Sequence, residues 1–177
     1  MIEHYIVPAL ANKDHSAIII FSMMLSGMVG IISRNGGTLG LVAIVERMAK
    51  SARLGQIATW IMGLIIFFDD YANTLIVGNT MRPITDDLKI SREKLSYIVD
   101  STAAPVAGLF LSTWVGYEIG VIGDAMKGTG FTGDPFSVFL LSIPYRFYLL
   151  LTIVFVLSIA LSRRDFGPML ILSLIHI

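Results

Sequence analysis

Three carboxylates stand in stretches that are otherwise apolar. Asp69 and Asp70 follow the largely apolar run Ile57 to Phe68, and Asp100 lies within Ser91 to Ile122. An ionisable side chain placed in hydrocarbon costs at least ~2.5–3.5 kcal/mol on insertion scales, so by default it marks an ion pathway. The bland alternatives are a salt bridge to Arg82 or Lys94, or a capping role at a helix break. The neighbours favour the ionic account, because Asn73, Asn79, Ser101 and Thr102 add amide and hydroxyl oxygens. A hard cation such as sodium takes oxygen ligands. A desolvated carboxylate holds either a proton or a metal ion but not both comfortably, and competition for one such site is sufficient for exchange. Adjacent Asp69 and Asp70 diverge by about 100° on a helix, so one faces the ion while the other orients Tyr71 or Asn73 or caps the second arm of a hairpin. The candidate ion and proton site is therefore Asp69, Asp70, Asn73, Asp100, Ser101 and Thr102, with Asp70 and Asp100 as the cation's carboxylate ligands.

The elements that must position these residues are read from composition and apolar runs. Hydrophobic residues make up 55% of the 177 and charged residues 15%, and mean hydropathy is +0.76. Both fractions lean away from water-soluble averages of about 45–50% and 25%. The predicted fold class is an all-α polytopic membrane protein: transmembrane helices with a re-entrant hairpin and a broken helix. A first span is expected at residues 16–33, closed by Arg34 and the Asn35-Gly36-Gly37 turn, with an interfacial amphipathic helix over 38–53. Residues 56–81 form either a hairpin with Asp69 and Asp70 at its tip or one straight helix with both acids mid-span. Residues 91–122, with Ser91 as N-cap and Glu93 in the first turn, are too long for one span and are expected to break at Asp100–Pro105. A glycine-rich loop over 123–135 precedes a last span at 136–162.

Charge arbitrates between hairpin and straight helix. Lys and Arg number four in 34–53, four in 82–94, one in 123–135 and two at Arg163-Arg164. Loops rich in these residues tend to stay cytoplasmic, which a hairpin satisfies and a single crossing does not.

Other features exclude more than they propose. Net charge is zero, which gives no footprint for nucleic acid. With no cysteine, thiol chemistry is out, and His4, His15 and His176 are too dispersed for a zinc site. The polar first fifteen residues argue against a signal peptide. Gly128 to Gly133 matches G-x-G-x-x-G, but no strand precedes it, so it reads as a flexible loop. Trp60 and Trp114 fit either interfacial anchors or packing near the site, Arg146 snorkels or pairs, and Glu118 is a mouth residue or interfacial. No catalytic triad or cofactor motif is present; the chain is read as a non-enzyme without a cofactor.

The run FFDDYANTLIVGNTMRPITDDLKISREKLSYIVDSTAAPVAGLFLSTWVG, Phe67 to Gly116, closely resembles the NhaC family of sodium/proton antiporters. MVGIISRNGG (Met28 to Gly37), SIPYRFY (Ser142 to Tyr148) and RDFGPM (Arg164 to Met169) are similar to further motifs of that family. The resemblance implies a multi-pass protein of the cell membrane that exchanges sodium or lithium for protons by alternating access, with hairpins and broken helices in inverted repeats. Its partners would be sodium, protons, the lipid bilayer and the remainder of a longer transporter, since family members are much longer. A homodimer is an open alternative. Residues 1–170 would be the antiporter portion, and 171–177 (ILSLIHI), which fits no preceding pattern, a non-native tail. Two competing functions are exchange of a small organic anion such as malate or lactate, and a nonfunctional truncated membrane fragment.

Overall fold

The computed structural model describes residues 4, 6–162, 164 and 170–171. The motif residues 165–169 and the tail residues 172–177 lie outside the described residues. Nine α-helices follow in chain order among them: α1 Val7–Ala11, α2 Lys13–Arg34, α3 Gly37–Met48, α4 Ala52–Ile65, α5 Asp70–Asp87, α6 Arg92–Ala107, α7 Thr113–Thr129, α8 Pro135–Ser142 and α9 Phe147–Ser162. A 3-10 turn, Ile143–Tyr145, joins α8 to α9.

Side-chain oxygens decide where most of these helices begin. The N-cap oxygens of Ser51, Asp69, Ser91, Ser112 and Asp134 each accept from the backbone N–H of the third residue of the helix that follows, satisfying donors that have no intrahelical partner. Helix α6 is the hub and packs on α4, α5 and α9; α2 lies on α7, and α7 on α8. The apolar core collects Val45 of α3, Ala58 and Met62 of α4, Val77 and Met81 of α5, and Leu95 and Val99 of α6.

The all-helical part of the predicted fold class stands among the described residues, but its polytopic transporter architecture is corrected. Only His15–Ile32, inside α2, is by itself long and apolar enough to cross a bilayer among the described residues. Pro135–Tyr145 and Phe147–Ser162 pass the same length and composition test only as a pair, bent by 49°. Helix α4 has 14 residues, short of the ~20 a span needs. Helix α5 carries Asp70, Arg82, Asp86 and Asp87, and α6 carries Arg92, Glu93, Lys94 and Asp100.

The breaks also move. Pro105 sits inside α6 rather than ending it, and the interruption falls at Gly108–Ser112. Helix α7 runs through Gly123–Thr129, so the glycine-rich stretch is largely helical, and Gly130 closes that helix at φ 71°, a left-handed cap that glycine adopts without strain. The segment 136–162 is divided at Arg146, where Pro144 interrupts regular bonding.

Candidate ion site

The interruption between α4 and α5, residues Ile66–Asp69, is held by one amide. Asn73 is fully buried, and its Nδ2 donates to the carbonyls of Gly63 and Ile66, both at 2.8 Å. These carbonyls close α4 and have lost their helical donors. With both N–H groups committed, Asn73 Oδ1 is left buried without a hydrogen-bond partner. Asp69 Oδ1 accepts from Ala72 N at 2.7 Å and starts α5. Asp69 and Asn73 therefore build the break.

Asp70 takes a different direction. With Asp100 it lines one cavity of about 380 Å³ between α5 and α6, together with Tyr71, Thr74, Ala103 and Ala104. Asp100 is exposed and Asp70 half-buried, so neither is sealed in an apolar interior within this chain. Thr102, fully buried, donates to Ile98 O at 2.7 Å and Val99 O at 3.1 Å and touches α4 at Gly63. A Cβ added to Gly63 would collide with Thr102 Oγ1, so glycine there is a condition of α4–α6 contact. Ser101 hydrogen-bonds the Tyr97 side chain. Of the six predicted site residues, the structure brings Asp70 and Asp100 into one cavity. Asp69, Asn73, Thr102 and Ser101 serve the scaffold around it. Among the described residues no three carboxylates or histidines converge on one point.

A second, larger groove of about 790 Å³ shares Asp100 and Thr74 with that cavity and extends along α5 and α6 to Arg82, Arg92 and Glu93. Pro83, inside α5, removes the N–H that would bond the Asn79 carbonyl, and Pro105 does the same for Ser101. Arg92 is engaged: its Nε and Nη2 donate to the two Asp86 carboxylate oxygens at 3.3 and 3.2 Å. That hydrogen bond, then the charge of Asp86, raises the Arg92 pKa further above its usual value. Thr74, Gly78 and Arg82, spaced i, i+4, i+8, present one stripe of α5 to the groove. The spacing was available in the sequence, but their helix face was not.

Away from the cavities, Arg146 ties two helix breaks together. Its Nη1 donates to Gly108 O at 3.1 Å and to Glu118 Oε2 at 2.9 Å, and its Nε donates to Ser142 Oγ at 3.1 Å. Its Nη2 bonds Glu118 Oε1, and the guanidinium lies 4.6 Å over the Phe139 ring. Trp60 Nε1 donates to Ile153 O at 3.0 Å, fastening α4 to α9.

Comparison with known proteins adds a relative. Over 154 residues the chain is 30% identical to a protein of Haemophilus influenzae described as an uncharacterized protein, and the match takes in 86% of this chain and 30% of that protein. The chain thus spans about a third of the length of the relative it matches. No family model matches, and no solved structure does.

Proposed function

We propose that this chain is the ion-handling portion of a longer cell-membrane protein that exchanges sodium for protons, as its resemblance to the NhaC antiporters implies. Asp70 and Asp100 are the carboxylates for which the two cations compete. The observation that carries the proposal is their meeting: two acids thirty positions apart line one cavity. Thr74, which lines the same cavity, adds a hydroxyl oxygen of the kind a hard cation takes.

The distribution of polarity supports a membrane setting. Fully buried positions include Thr59, Asn73, Thr85, Thr102 and Ser112, while Met23 and Met24 of α2 are each 70% exposed and Leu151 of α9 is 65% exposed. Among the described residues, none of the apolar window of α2 is buried. An apolar area of that extent calls for lipid or further protein to cover it.

The test is sodium-driven proton movement in everted vesicles carrying the intact parent protein. Asp70→Asn and Asp100→Asn are each expected to abolish exchange while leaving protein abundance unchanged. Exchange at the parent rate in both variants would reject the assignment.

A further inference from the structure

We infer that the groove between α5 and α6 binds a small zwitterion, its carboxylate on Arg82 and its ammonium on Asp100. This rests on the exchange proposal, because Asp100 is common to both cavities.

Charge is the first support. The groove is lined by two cations, Arg82 and Arg92, and two anions, Glu93 and Asp100. Arg92 is held by Asp86, whereas among the described residues no carboxylate pairs with Arg82. A simple organic anion attracted to Arg82 would also meet Asp100 and Glu93, and a simple amine attracted to Asp100 would meet Arg82. A molecule bearing both charges satisfies both ends. Guanidinium is well suited to the carboxylate, offering a planar pair of donors. The Asn79 carbonyl, deprived of its helical donor by Pro83, adds an acceptor of the kind an ammonium needs.

Gly78 is the second, independent support. It lies in the interior of α5, where glycine costs roughly 1 kcal/mol relative to alanine. Its backbone does not require it, since positive φ among the described glycines occurs at Gly36 and Gly130. Packing does not require it either, because an added Cβ would meet nothing within 4 Å. That Cβ would project from the stripe Thr74–Gly78–Arg82 that lines the groove. The missing side chain leaves space one helical turn, roughly 6 Å, from Arg82, which is room for the body of a solute.

The test is equilibrium binding of radiolabelled L-alanine, 4-aminobutyrate and 6-aminohexanoate to the intact detergent-solubilised protein, with butyrate and butylamine as single-charge controls. At least one zwitterion is expected to bind about tenfold or more tightly than either control. Arg82→Gln should remove that advantage. Gly78→Leu should block binding, while Gly78→Ala, which fills little space and raises helix propensity, should bind and confirm that the helix tolerates the position. Controls that bind as well as the zwitterions, or no binding by any zwitterion, would overturn the inference. Sodium-driven proton movement measured after the same protein is reconstituted into sealed liposomes keeps the two proposals apart: intact exchange without zwitterion binding refutes this inference alone, and zwitterion binding without exchange refutes the ion proposal alone.

Discussion

Arg146 and Glu118, 28 residues apart, face one another as a two-pronged ion pair across the junction of two helix breaks. One guanidinium thereby connects the end of α6, the body of α7, and the turn between α8 and α9. With 17% of the Arg146 side chain and 39% of the Glu118 side chain exposed, water partly screens the pair. Removing one partner still strands the other in a half-buried place. Arg146→Leu should therefore lower stability by about 1–2 kcal/mol. Arg146→Lys should recover little, because an ammonium cannot reproduce the paired geometry. Thermal unfolding of the single variants and of Arg146→Leu with Glu118→Leu checks this; additive losses would show that the two residues are not coupled.

Asn73 supplies a second prediction. Replacing it by alanine leaves two buried carbonyls, those of Gly63 and Ile66, without donors, at a cost of about 1–3 kcal/mol each where water cannot reach. Asn73→Asp is expected to be worse at neutral pH, since a carboxylate would face the same two acceptors. Equal stability of Asn73→Ala and the parent in a denaturation series would contradict the role given to this side chain.

Asp69 and Asp70 are separable by one substitution. Asparagine caps helices about as well as aspartate, so Asp69→Asn should preserve both folding and exchange. Asp69→Ala should lose about 1 kcal/mol of stability through the cap. Loss of exchange in stably folded Asp69→Asn would move Asp69 from scaffold to ion site.

Gly63→Ala forces a methyl group against the Thr102 hydroxyl and should separate α4 from α6. Overpacking of this kind costs about 1–3 kcal/mol. Pairing it with Thr102→Ala, which removes the nearest obstructing atom, the hydroxyl oxygen, but keeps Cβ, should return part of the loss; no recovery in unfolding experiments would place the strain elsewhere.

Local chemistry was legible in the sequence, and distant pairing was not. Ser91 announces the start of α6 and the polar interruption after Phe68 coincides with a helix break, because capping and breaking depend on neighbouring residues. Apolar composition was a poor guide to membrane crossings: it does not register that α4 ends at Ile65 or that charges interrupt α5 and α6. Pro105 misled in another way. Small Ala103 and Ala104 precede it, and the helix runs on to Ala107, whose carbonyl accepts from the Ser112 hydroxyl at 2.6 Å while that hydroxyl accepts from Val115 N at 3.2 Å and starts α7. Within the site, residue type pointed to Asp70 and Asp100 together. The turning of Asn73 toward α4 depends on carbonyls that exist only once α4 has ended.

The single amide of Asn73 has a mechanical consequence. Because it clamps the last turn of α4 to the first turn of α5, one side chain sets the angle at which the two helices meet.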